Sequence, residues 1–145
     1  MLDRHTWCGW VIPLQMRTPV RILVADDSDT MRRAICALLQ AQNGIAVCGE
    51  AQDYPDLLRM LSESMADVVL MDMRMPGGRG FDPTNIKAHL HGSCLLAMSV
   101  WNDEETTSLA QSYGATRLLD KSQLASTLIP AIEECIQQSG TAHLA

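Results

Sequence analysis

Three aspartates, a serine and a lysine stand where short apolar runs end. Asp26 and Asp27 close the run Ile22 to Ala25 in RILVADDSDT, Asp72 interrupts VVLMDM, Ser99 follows Leu95 to Met98, and Lys121 follows Leu118, Leu119 and Asp120. Two adjacent carboxylates at the end of a buried-looking run repel each other and lose hydration, so something must compensate them. Ligation by oxygen alone, without His or Cys, favours Mg2+ over zinc. One ammonium, Lys121, cannot balance three carboxylates, but Lys121, a Mg2+ ion and the Ser99 hydroxyl together can hold an anion such as a phosphoryl group. Asp72 is then a candidate nucleophile, because a carboxylate attacking phosphorus forms an acyl phosphate. Taken singly, Asp72 reads as a turn residue, Ser99 as a strand-end hydroxyl and Lys121 as a solvated charge. Their coincidence at successive strand ends is what chance explains poorly.

The elements that must carry these groups are readable after Pro19. The runs Ile22–Ala25, Ile45–Cys48, Val68–Met71, Leu95–Met98 and Leu118–Leu119 suit strands covered on both faces, as in a parallel sheet. Helices lie between them. Ser28 can cap a helix with the stripe Met31, Ala34, Ile35, Leu38 and Leu39, and Gly44 follows its end. Asp53 precedes Pro55 and the stripe Leu57, Leu58, Leu61, while Asp82-Pro83 reads as cap and first-turn proline of a helix through Leu90. Asn102 can cap the next helix, which ends at Gly114 and holds only Leu109, Ala110 and Tyr113 for packing, so it should be loosely held. The last helix is expected to start near Ser126, because Pro130 is tolerated in a first turn, with the stripe Leu128, Ile129, Ile132, Cys135 and Ile136. This alternation predicts a doubly wound α/β sheet with right-handed crossovers. In such sheets ligands bind beyond the carboxyl ends of the strands, where the five polar residues collect.

A chain of 145 residues fits one domain with a sizeable core. We divide it into an N-terminal extension over 1–18, a domain over 19–138 and a tail over 139–145. Met16 is an alternative start, which would leave 1–15 a disordered extension; otherwise Trp7 and Trp10 lie on a hydrophobic arm that packs on the domain or a partner. The leader lacks the apolar length and cleavage site of a signal peptide, and no apolar run approaches the roughly 20 residues of a membrane span. A net charge of −6 argues against a broad nucleic-acid-binding face within this chain. Cys8, Cys36, Cys48, Cys94 and Cys135 form no CxxC pair and read as small buried hydrophobes in a reducing cytosol, so a cytoplasmic location is expected. The nine methionines read as core filler, and His89 and His91 as cations suited to the end of the third helix.

From Val20 to Ile136 the chain resembles the receiver domain of bacterial two-component response regulators. The resemblance is carried by Asp26-Asp27, by Asp72 in DMRMPGGRG with its Met75-Pro76-Gly77 turn and Gly80, by Ser99, and by Lys121. It implies a flavodoxin-like fold of five parallel strands in the order 2-1-3-4-5 flanked by five helices. It implies Asp72 as phosphoacceptor and Mg2+ as cofactor, with Asp27, Asp72 and the Arg74 backbone carbonyl as ligands and Asp26 acting mainly through water. Ser99 is the switch hydroxyl and Lys121 the phosphoryl contact. The implied partners are a histidine kinase or phosphotransfer protein upstream, and an effector or a second copy bound through the face formed by helix 4, strand 5 and helix 5. The domain would not be an enzyme beyond promoting its own phosphorylation and dephosphorylation, and the chain is either a stand-alone receiver or a fragment of a longer regulator.

The departures are equally specific. Leu118 stands where such domains commonly carry an aromatic that turns inward on phosphorylation, and Ser122 stands where proline is common after the lysine. Arg74 and Trp101, two residues beyond Asp72 and Ser99, are candidates for impeding attacking water and prolonging the acyl phosphate. Two other readings compete. One is a receiver-like interaction module that works without phosphorylation. The other is a phosphatase of the haloacid dehalogenase type using Asp27 and Asp29, which lacks the expected Thr or Val because Met31 occupies that position.

Overall fold

The structure, a computed structural model, describes residues 19–77 and 82–144, with side chains described through residue 138. The N-terminal extension and Gly80 lie outside the described residues. Ten main elements alternate: β1 (Val20–Ala25), α1 (Asp29–Gln40), β2 (Ile45–Ala51), α2 (Tyr54–Glu63), β3 (Val68–Asp72), α3 (Pro83–His89), β4 (Cys94–Ser99), α4 (Glu104–Ser112), β5 (Ala115–Asp120) and α5 (Leu124–Leu144). The five strands form one parallel sheet in the order β2-β1-β3-β4-β5, as the resemblance implied.

The three central strands are buried along almost their whole length, which is why they read as unbroken apolar runs. Alternate side chains feed two cores. Ile22, Val24, Leu70 and Leu96 face α1 and α5, while Leu23, Val69, Met71 and Leu95 face α2, α3 and α4.

Local signals set most helix starts. The side chains of Ser28, Asp53 and Asp82 accept from the backbone N–H of Met31, Asp56 and Thr84. On α1, Cys36 is buried and the expected Ala34 faces solvent, because the buried face is turned slightly from the predicted stripe. Asp103, not Asn102, caps α4, its carboxylate accepting from Thr106 N at 2.7 Å. The helix itself buries only Ala110, and Leu109 is 43% exposed, so the thin packing is thinner than predicted.

The last helix begins at Leu124, two residues before the expected start. A short 3-10 turn over Lys121–Gln123 leads into it, and Leu124 is buried beside Leu128, so packing determines the start and Pro130 falls inside the helix. Pro130 is exposed, where the Ser126 carbonyl it leaves without a helical donor can meet water. The helix covers positions 139–144 of the expected tail. A disulfide joins Cys94 at the start of β4 to Cys135 in α5, which corrects the reading of these two residues as free buried thiols; Cys36 and Cys48 are free. No described helix is long and apolar enough to cross a membrane.

Candidate functional site

Strand register brings the polar residues to one edge of the sheet. Ala25 pairs with Met71, so Asp26 and Asp27 emerge beside Asp72; Asp72 pairs with Met98, so Ser99 is one step further out. Ser99 pairs with Asp120, which sets Lys121 just beyond. Asp120 accepts from Ser122 N at 2.9 Å and Ser122 Oγ at 2.7 Å, fixing the turn that aims the lysine.

Asp26, Asp72 and Ser99 are the only buried polar or charged residues described, at 0%, 3% and 2% exposure, while Asp27 is exposed. One carboxylate oxygen from each of Asp26, Asp27 and Asp72 lies within 4.8 Å of the others. The Lys121 ammonium lies 2.8 Å from Asp26 Oδ2 and 3.1 Å from Asp72 Oδ1. Asp26 Oδ1 accepts from Ser28 N at 2.9 Å, whereas Oδ2 has no aligned hydrogen-bond donor among the described residues and rests on its charge contact with Lys121. Three clustered carboxylates facing a single ammonium suit a hard cation with oxygen ligands, and the donor set fits Mg2+.

The electrostatics follow from this crowding. Burial pushes the Asp72 carboxyl up to about 6; the Asp26 charge adds to the rise, while the Arg74 N–H and Lys121 oppose it. Burial works against the Lys121 ammonium, but Asp26 and Asp72 outweigh it and its pKa is raised. Lys121 therefore stays charged and holds the two carboxylates together.

Arg74 N donates to Asp72 Oδ1 at 3.1 Å, and its guanidinium carbon lies 5.3 Å from the centroid of the half-exposed Trp101 ring. Trp101 N in turn donates to Ser99 Oγ at 2.9 Å. Arg74 and Ser99 line a pocket of about 230 Å3 with Asp103 and Thr106. Leu118 is partly buried against the second core and lines a separate pocket of about 160 Å3 between α4 and β5. Asp29, the second acid of the phosphatase reading, is instead exposed and paired with Arg32.

Two residues near the site escaped the sequence reading. The Arg32 guanidinium donates to the Asp26 backbone carbonyl at 2.7 Å and pairs with Asp29 and Glu50. Its polar character hid it in an otherwise ordinary helix face. Tyr54 donates from its hydroxyl to Met73 O at 3.1 Å, next to Asp72. The one available signal was a tyrosine between a helix cap and a proline, in a chain with only two tyrosines.

The family model for the response regulator receiver domain matches residues 22–133. The chain belongs to the response regulator receiver domain family, and it is a signalling domain of the phosphorelay type. The transcriptional regulatory protein LiaR of Bacillus subtilis is 32% identical over 114 residues, covering 78% of this chain and 54% of LiaR. A protein-glutamate methylesterase/protein-glutamine glutaminase of Pyrococcus abyssi is 31% identical over 104 residues, covering 70% of this chain and 28% of that protein. The chain thus spans from about a quarter to about half the length of these curated relatives. Among solved structures, the signal receiver domain of the putative response regulator NarL from Mycobacterium tuberculosis superposes with a TM-score of 0.75 at 25% identity, covering 83% of this chain and 98% of that one. The response regulator domain of Thermotoga maritima CheB shares the fold, with a TM-score of 0.73 at 24% identity over 82% of this chain and 97% of that one.

Proposed function

We propose that this receiver domain takes a phosphoryl group onto Asp72 from a phosphohistidine of a histidine kinase or phosphotransfer protein. The observation that carries the reading is the convergence of Asp26, Asp27 and Asp72, one oxygen from each within 4.8 Å, with Lys121 in contact with two of them. A Mg2+ ion held by Asp27, Asp72 and the Arg74 carbonyl, with Asp26 behind it, would supply charge neutralisation for the incoming phosphoryl group. The Asp72 carboxylate attacks phosphorus, a P–O bond forms as the P–N bond of the donor imidazole breaks, and that ring nitrogen takes up a proton. Lys121 neutralises the transferred oxygens, and the Ser99 hydroxyl turns from its own loop toward them.

Phosphorylation adds charge and acceptor oxygens beside α4, a helix that buries only Ala110, and shifts its equilibrium position. The face of α4, β5 and α5 then binds an effector or a second copy of the domain. Leu118 excludes an aromatic switch at that position, so Ser99 and α4 carry the response. Arg74 and Trp101, packed on each other beside Ser99, retard hydrolysis of the acyl phosphate by restricting water. Cytoplasmic action, alone or as part of a longer regulator, follows from an upstream kinase as donor.

Intact-mass measurement with Mg2+ and a small phosphodonor such as acetyl phosphate tests the reading. The wild type should gain one phosphoryl group and Asp72→Asn none. Continuous release of phosphate from monoesters that survives Asp72→Asn would overturn it.

A further inference from the structure

Tyr54, the first residue of α2, grips the turn that follows Asp72 at two points. Its backbone N–H donates to Pro76 O at 3.1 Å, and its hydroxyl donates to Met73 O at 3.1 Å with Asp72 O at 3.4 Å. The turn lies flush against the start of α2, because a Cβ at Gly77, where φ is +85°, would come within 2.6 Å of Pro55 Cδ. The Tyr54 ring is 2% exposed and stacks on Tyr113, itself 4% exposed at the end of α4, with ring centroids 5.7 Å apart and planes within 8°. Burial raises the Tyr54 phenol, with Tyr113 and then Asp72 adding to it, so the hydroxyl remains a donor.

The carbonyl that Tyr54 holds belongs to the same peptide unit as the Arg74 N–H, and that N–H donates to Asp72 Oδ1 at 3.1 Å. A peptide unit is planar and rigid, so anchoring its carbonyl orients its N–H, and accepting a hydrogen bond at oxygen strengthens donation at nitrogen. A phenylalanine would fill the same core volume. The hydroxyl is the one part of this side chain that packing does not require, and it is spent on the peptide that contacts the phosphoacceptor.

We infer that Tyr54 is a positioning residue for the candidate cation and phosphoryl site: its hydroxyl sets the Met73–Arg74 peptide, and through it the Asp72 carboxylate, while Tyr113 braces the ring. The inference rests on the function proposed for Asp72. It also gives α4 an aromatic link to the site by a route that does not involve position 118.

Titration with Mg2+ alone, followed by calorimetry, provides the test. Tyr54→Phe should bind Mg2+ about three- to tenfold more weakly, the range expected for one hydrogen bond, and should be phosphorylated by acetyl phosphate more slowly to a similar degree. Tyr113→Leu, which removes the ring stacked on Tyr54, should also weaken binding. The chain has two tyrosines, so tyrosine labelled with 13C at Cζ gives two resonances, and that of Tyr54 should move on Mg2+ saturation. A folded Tyr54→Phe with unchanged Mg2+ affinity overturns the inference while leaving the site reading intact. If that variant does not fold, a Tyr54 resonance unmoved by saturating Mg2+ in the wild type overturns it instead. A wild type that binds no Mg2+ removes the site reading and this inference with it.

Discussion

Lys121 bridges Asp26 and Asp72: its ammonium is 2.8 Å from one carboxylate and 3.1 Å from the other, on side chains that are nearly or wholly buried. Replacing it by methionine leaves two buried carboxylates facing each other. Lys121→Met should lower the stability of the metal-free domain by about 3 kcal/mol, the scale of a broken buried ion pair, and Mg2+ should restore part of the loss. Urea unfolding in a chelator and in excess Mg2+ measures both. Equal metal-free stability of variant and wild type would show that the lysine does not compensate these charges.

The pH dependence of the metal-free domain follows from Asp72. Its carboxyl is raised from 3.8 to about 6 by burial, so the folded chain binds that proton more tightly than the unfolded chain. The resulting stability is fully present below the unfolded value and is lost as pH rises through the folded one. The cap carboxyls Asp82, Asp103 and Asp120 are lowered by hydrogen bonds from Thr84, Thr106 and Ser122, and their stabilisation is instead lost as pH falls. Between about pH 5 and 7 the caps are ionised and the Asp72 contribution remains. Chelated wild type should therefore lose stability across that window, and Asp72→Asn should flatten the slope.

Trp101 and Arg74 stand two residues beyond Ser99 and Asp72 and touch each other. Trp101→Ala removes the bulk and frees the guanidinium. The acyl phosphate should then decay several-fold faster, at a phosphorylation rate little changed, when loss of label is followed after removing the donor. An unchanged decay rate would remove water exclusion from the role of this pair.

The Cys94–Cys135 disulfide closes a sequence separation of 41 residues. The chain-entropy model assigns such a loop about 3–4 kcal/mol. Calorimetric unfolding with and without reductant should show a loss of that order, reproduced by Cys135→Ser without reductant. Mg2+ affinity should stay the same in both, because the bond lies at the opposite end of β4 from Ser99.

Much of this molecule was legible in its sequence because the signals are local. Buried central strands show as apolar runs, Ser28, Asp53 and Asp82 cap where their side chains reach the first free N–H groups, and the acidic and basic site residues end their strands. Errors arose where two signals competed. Asn102 and Asp103 are adjacent cap formers and only tertiary placement chooses between them; Pro130 marks a first turn by propensity, yet buried Leu124 extends the helix ahead of it. The disulfide and the reach of Tyr54 to Met73 join residues far apart in the chain, and no pattern of spacing encodes such meetings.

The two-sided sheet has a consequence for how this domain can change. The core under α1 and α5 holds the disulfide, whereas the core under α2, α3 and α4 holds Tyr54, Tyr113 and the turn after Asp72. One layer serves as a chassis and the other as a suspension, with only the strands in common. Substitutions deep in the chassis need not touch the turn after Asp72, and the two layers meet the signal together only at the rim, where Arg32 of α1 and Lys121 ahead of α5 both reach Asp26.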